Sequence, residues 1–129
     1  MTLKRSFAAY MESLGFGTFG TNLFLNGAPL NAPDACWWIL ATGGAIVETN
    51  QTGEKLKNYI VSVYYRNTDA ETVDQSLHDF EELLNTTNCD QLEGFNTIDV
   101  SVTTFPADQD LDIEDRTVGL AQVTIQTYL

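Results

Sequence analysis

The sequence has 129 residues, and its 18 acidic and 6 basic side chains give a formal net charge of -12. This length suits one domain, 1–129, with an ordinary core, and a hydrophobic content of 43% argues against a disordered chain. A negative surface repels phosphate, which argues against free-standing DNA or RNA binding. The N-terminus lacks the apolar core of a signal peptide, and the longest apolar run, 35–41, is too short to span a bilayer. We therefore predict one acidic domain with no membrane contact.

The first half of the chain predicts one helix and two strands. The apolar stripe of the helix consists of Leu3, Phe7, Tyr10, Met11 and Leu14. Thr2 is suited to cap the start of this helix, and Gly15 is suited to end it. A turn and a short strand follow in 16–25, and a buried strand is predicted at 36–42, stopped by Gly43 and Gly44.

The second half predicts a polar hairpin tip within 45–57, a strand at 58–66, a second helix and two further strands. The capping box of Thr68 and Glu71 opens the helix, whose apolar stripe consists of Val73, Leu77, Phe80 and Leu84. One strand alternates from Ile98 until Pro106 ends it, and the last strand occupies 117–129. The order α-β-β-β-α-β-β predicts an α+β fold, a two-layer α/β sandwich in which two main helices cover one face of a mainly antiparallel four- to five-stranded sheet.

An acidic loop at 105–116 raises the question of a calcium site. Asp108, Asp110 and Asp112 match the first three ligand positions of an EF-hand loop. The match then fails, because Ile113 stands at the glycine position and Gly119 stands where the closing glutamate belongs. We favour a solvated acidic loop over a metal site.

Neither the histidine nor the cysteines predict a reactive centre. His78 lies in the middle of the second helix, where Asp74 and Glu82 are its expected ion-pair partners. Cys36 and Cys89 lack the spacing of a zinc site and predict two reduced thiols. No catalytic or nucleotide-binding motif occurs, so we predict neither an enzyme nor a cofactor.

Two adjacent tryptophans predict that one side chain lies outside the core. In a strand Trp37 and Trp38 point to opposite faces, and the outer one is either an interface anchor or covered by the first helix. The strand at 58–66 is likewise apolar on both faces, with Ile60 and Tyr64 opposite Val61 and Val63. A neighbouring subunit is one source of cover for the second face.

Three segments of the second half stand in a recognisable order: the strand YIVSVYYRN, the capped helix DAETVDQSLHDFEELLN, and a last hairpin with Pro106, Asp115 and Arg116. In this order they resemble the tail terminator proteins of long-tailed phages. The resemblance covers roughly 59–129. It implies a virion protein that forms a homohexameric ring at the head-proximal end of the tail tube. Such a ring ends polymerisation of the tube protein and docks onto the head-completion or connector protein, and DNA passes through its lumen without specific binding.

The resemblance places the predicted hairpins at 43–57 and 105–116 at subunit boundaries. We expect Arg116 to pair with a carboxylate of the neighbouring copy, so that Arg116→Glu converts rings to monomers. The full set of interface candidates is Arg116, Asp115, Glu114, Asp112, Glu48, Glu54, Lys55, Lys57, Arg66 and Trp38. Two alternatives stay open: another neck or connector subunit, and a small acidic domain that binds a metal or ligand through the loop from Asp108 to Asp115.

Overall fold

A computed structural model describes residues 2–49, 55–86, 92, 96–108 and 116–128. The elements follow the predicted order: α1 (Leu3–Ser13), β1 (Leu23–Leu25), β2 (Cys36–Thr49), β3 (Lys55–Asn67), α2 (Ala70–Thr86), β4 (Asn96–Asp108) and β5 (Thr117–Tyr128). The sheet order is β1-β2-β3-β5-β4. Among the described strands, only the β1–β2 pair is parallel, so the sheet is mixed but mainly antiparallel, and the predicted α+β fold is confirmed.

Both helices pack on one face of the sheet. The predicted apolar stripe of α2 is fully buried, and α1 contributes Phe7 and Met11 to the same core. The sheet supplies side chains from alternate positions, among them Ile39, Val61 and Val123. Period-3.6 stripes on the helices thus meet period-2 faces on the strands, as the sequence pattern indicates. No helix within the described ranges is long and apolar enough to cross a membrane.

The parallel β1–β2 pair explains why an irregular loop, as the Asn26-Gly27 turn signal and Pro29 and Pro33 predict, separates these two strands. Parallel pairing requires the chain to return from the end of β1 to the start of β2. Because β1 has only 3 residues, this return spans only about 10 Å. Residues 26–35 make the return without a helix. We call this segment the β1–β2 loop.

The prediction that Gly43 and Gly44 end the second strand is wrong. β2 continues through both glycines to Thr49, so most of the predicted polar hairpin at 43–57 is strand. Glycine weakens a strand but keeps both backbone hydrogen-bonding groups, and the register shifts between Ala41 and Gly43. Such a shift is typical of a β-bulge, at which glycine is common.

The prediction that Pro106 ends the fourth strand is also wrong. β4 runs to Asp108, and Pro106 lies inside it. Proline lacks an N–H donor, but β4 is the edge strand of the sheet, where only one side needs hydrogen bonds. A register shift between Thr104 and Ala107 accommodates the proline.

The start of α2 differs from the predicted capping box by one residue. The Asp69 carboxylate accepts a hydrogen bond from the Glu71 backbone N–H (3.2 Å) and from the Thr72 hydroxyl (2.7 Å). The Thr68 hydroxyl instead donates to the Asn67 side chain at 3.4 Å. Asp69 is therefore the N-cap, and its carboxylate lies at the positive end of the helix dipole.

This correction predicts different effects for two neighbouring substitutions. Asp69→Ala should lower the free energy of unfolding by about 1 kcal/mol, because it removes the cap. Thr68→Ala, the matched control, should lower it by less than about 0.5 kcal/mol. Urea unfolding followed by circular dichroism measures both values. A larger loss for Thr68→Ala than for Asp69→Ala would contradict this assignment and support Thr68 as the N-cap.

Candidate interaction surface

The sheet face opposite the helices carries a row of apolar side chains. Phe24, Trp38, Tyr64 and Leu120 are neighbours in register on four adjacent strands, and all four are half-buried. The rings of Trp38 and Tyr64 stack with centroids 5.4 Å apart and an interplanar angle of 6°. We call these four residues the aromatic row.

Trp37 points the other way and belongs to the core. It is only 6% exposed and lies 4.4 Å from the Tyr65 ring and 5.6 Å from the Phe80 ring. The helices therefore pack on the Trp37 side, and the alternative that α1 covers Trp38 is wrong. Trp38 is positioned where an interface anchor was predicted, on the helix-free face.

Arg66 holds the β1–β2 loop against this face. Its guanidinium donates to the backbone carbonyls of Pro33 (2.8 Å) and Asp34 (3.2 Å), and lies 5.9 Å from the centre of the Trp38 ring. The residue is only 8% exposed. A planar guanidinium can bond two carbonyls at once, and it also stacks on aromatic rings. The sequence-predicted interface residue thus organises the surface from within the chain.

Arg116 fixes the same loop from the other side. Its Nη1 lies 3.1 Å from Asp34 Oδ1, and the two side chains are 13% and 62% exposed. Arg116 therefore already has a carboxylate partner in its own chain. The expected pairing with a carboxylate of a neighbouring copy stays a prediction, since a guanidinium has five N–H donors. Asp34 was missed as a site residue, although it is the one charged residue in 13–47.

The other end of the β1–β2 loop is tethered as well. The Asn26 backbone N–H donates to Ile39 O at 2.9 Å, and the Lys4 ammonium donates to the Asn26 side chain. Asn26 and Gly27 both have positive φ, at 68° and 128°, which asparagine and glycine tolerate best. At the tip, Ala32 N–H donates to Pro29 O at 3.0 Å and closes a turn.

This tethered turn presents an exposed leucine beside an open cleft. Leu30 has a relative exposure of 108%. The adjacent cleft has a volume of about 480 Å³ and is lined by Phe19, Phe24, Leu25 and Pro29 among others. An apolar tip and an apolar hollow therefore lie next to the aromatic row.

The remaining candidates lie elsewhere. Lys55 begins β3 opposite Thr49, and Glu48 pairs in register with Leu56. The Lys57 ammonium lies 4.5 Å from the centre of the Tyr59 ring. At the rise of an extended strand, this end of β3 is roughly 30 Å from Arg66. Glu54, Asp112, Glu114 and Asp115 lie outside the described residues. The structure thus brings together Trp38, Arg66 and Arg116 and separates Lys55, Lys57 and Glu48 from them.

The described part of the chain contains no group of three or more potential metal ligands. The acidic loop lies outside it, except that Asp108 ends β4. His78 Nε2 lies 3.8 Å from Glu82 Oε2 on the exposed side of α2, which confirms one of its two predicted partners. Cys36 is buried and not in a disulfide, whereas Cys89 is among the residues not described.

The helix-free sheet face carries half-buried aromatic side chains beside a loop with an exposed leucine, and such a surface suits contact with other proteins. The family described as "Bacteriophage tail terminator protein" matches residues 10–129. The chain therefore belongs to the bacteriophage tail terminator family, and it is a structural protein of the phage tail. None of the curated proteins matches the chain.

The two arginine tethers are expected to differ in strength. Arg66→Ala should lower the free energy of unfolding by about 2–3 kcal/mol, because two charge-assisted hydrogen bonds to the loop backbone are lost. Arg116→Ala should lower it by less than about 1 kcal/mol, because its partner Asp34 is largely in water. Denaturant unfolding of the purified variants provides both numbers.

A double-mutant cycle of Arg116→Ala and Asp34→Ala is the control. Because the two residues bond each other, the double variant should lose less stability than the two single variants add up to. Strict additivity, or an Arg66→Ala loss no larger than that of Arg116→Ala, would contradict this description of the loop.

Proposed function

We propose that this protein forms a homohexameric ring at the head-proximal end of the tail tube. The ring ends polymerisation of the tube protein and joins the tail to the head-completion or connector protein. The observation that carries this proposal is the family match, which extends over residues 10–129 and therefore includes nearly every described element. The position in the tail, the symmetry of the ring and the partners go beyond the family match and belong to the proposal.

The aromatic row supports contact with other subunits. The helices occupy the opposite face of the sheet and Trp38 and Tyr64 are only half-buried, so another polypeptide can supply their remaining cover. Aromatic side chains are enriched at the centres of protein interfaces, where they contribute much of the binding energy. In a ring each subunit uses two different surfaces, since contacts between identical copies around a closed cycle are heterologous.

The charge of the chain supports a lumen that DNA crosses without binding. Each copy has a formal net charge of -12, and Glu71 and Asp74 are among the exposed carboxylates of α2. A wall of that sign repels phosphates and offers few cations to replace their counterions. DNA can then slide through the ring, which a basic wall would prevent.

The first test is the mass of the purified protein in solution, by light scattering over a range of concentrations with and without calcium. We expect about six times the chain mass of 14.3 kDa, unchanged by calcium. A monomer whose melting temperature rises only with calcium would favour the acidic loop as a binding site, because a ligand of the folded state stabilises it. A monomer that persists when the tube protein is added would reject the ring.

The second test is the length of tail tubes assembled in vitro from the tube protein of the same phage. Adding this protein before assembly should shorten the tubes, and electron microscopy should show extra density at one end only. The connector alternative predicts a different result: tubes of unchanged length, with this protein bound to isolated connector complexes.

A further inference from the structure

The charges of this chain are unevenly distributed. Of the 18 acidic and 6 basic side chains, only Asp34 lies in 13–47. That stretch forms β1, the β1–β2 loop and most of β2, which together make one edge of the sheet. Most acidic residues lie on α2 and in the acidic loop at 105–116 instead. The residues that form this edge therefore contribute almost no charged side chains.

Four of the six basic side chains contact this edge. The Lys4 ammonium bonds Asn26, and the Arg5 guanidinium lies 3.9 Å from the centre of the Phe19 ring. Arg66 and Arg116 hold the β1–β2 loop at its other end. The edge has two carboxylates: Asp34 belongs to it, and Glu12 accepts from the Phe19 backbone N–H at 2.7 Å. Among the contacts of the described residues, basic side chains thus outnumber acidic ones at this edge of a strongly acidic chain.

A second surface has the opposite character. An open cleft of about 300 Å³ is lined by Phe16, Asp79, Glu82, Leu83 and Thr86. Leu83 is 37% exposed and gives the cleft an apolar part, and the carboxylates of Asp79 and Glu82 flank it. We call it the acidic cleft, and we call the surface of Phe19, Phe24, Pro29, Leu30 and Trp38 the loop surface.

We propose that the loop surface of one copy docks on the acidic cleft of the next copy, with Leu30 as the apolar anchor. This inference rests on the proposed ring and names its two contact surfaces. Copies that each have a net charge of -12 repel one another, so their contact must exclude acid–acid pairs. The loop surface and the acidic cleft meet that condition. The two carboxylates beside the loop surface, Asp34 and Glu12, each bond a donor of their own chain, whereas the carboxylates of Asp79 and Glu82 flank the cleft.

The tethering of the β1–β2 loop supports this role for Leu30. A single exposed leucine is ordinary on a protein surface. Here, however, the turn that carries it is held by Arg66, Arg116 and the Asn26 bonds, and closed by the bond from Ala32 to Pro29. A loop that is already ordered loses little conformational entropy on binding. The two different surfaces also fit the heterologous contact that a closed ring requires.

The test compares the mass of three variants with the wild type by light scattering. Leu30→Asp alters the loop surface, and Asp79→Lys with Glu82→Lys reverses the acidic cleft. Each of these two variants should raise the concentration at which half of the protein is assembled at least about 30-fold, as loss of an interface hot spot does. Glu71→Lys with Asp74→Lys makes the same charge change on α2 outside the cleft and should leave the hexamer intact. Unfolding curves confirm that each variant is folded.

Mixing the two defective variants gives the sharpest result. Each has one intact surface, so an equimolar mixture should form a heterodimer of about twice 14.3 kDa and no ring. Hexamers of Leu30→Asp, or of the cleft variant, at wild-type concentrations would overturn the inference and leave the proposed function standing. A wild-type chain that stays monomeric with its tube protein present would overturn both.

Discussion

Alternation along β2 is the constraint on which the rest of this structure depends. Trp37 and Trp38 are adjacent, and the pleat of the strand sends them to opposite faces. Trp37 joins Tyr65, Phe80 and Phe16 in an aromatic group that binds α2 and the turn after α1 to the sheet. Trp38 stacks on Tyr64 and receives Arg66 on the helix-free face. One dipeptide therefore determines both where the helices pack and what the opposite face presents.

Much of the fold could be predicted because its signals are local. Helical periodicity, the Thr2 cap and the α2 stripe depend on residues within one or two turns of each other. The β3 strand was equally clear, because its alternation extends over nine residues, 58–66. The errors at Gly43, Gly44 and Pro106 have a different origin. Those residues weaken an isolated strand, but pairing with β3 and β5 over the whole ladder outweighs the local preference.

The interaction surface could be predicted only in part. Trp38 followed from alternation, and Arg66 and Arg116 were identified as interface candidates, but their partners were not. Arg116 and Asp34 are 82 positions apart, and Arg66 bonds backbone carbonyls, which leave no mark on the residue types there. A better signal was the near absence of charge in 13–47. Asp34 is the one charged residue in that stretch, and the chain has only 6 basic side chains, so few residues could be its ion-pair partner.

The two arginines also make the surface depend on the complete fold. Arg66 lies near the end of β3, the strand at the middle of the sheet order, and Arg116 directly precedes β5, which pairs between β3 and β4. The β1–β2 loop can therefore reach its full set of tethers only after the last strand has inserted. An incompletely folded chain has neither Asp34 neutralised nor Leu30 held in place. Tethers that are distant in sequence from the loop thus make its order depend on completion of the sheet.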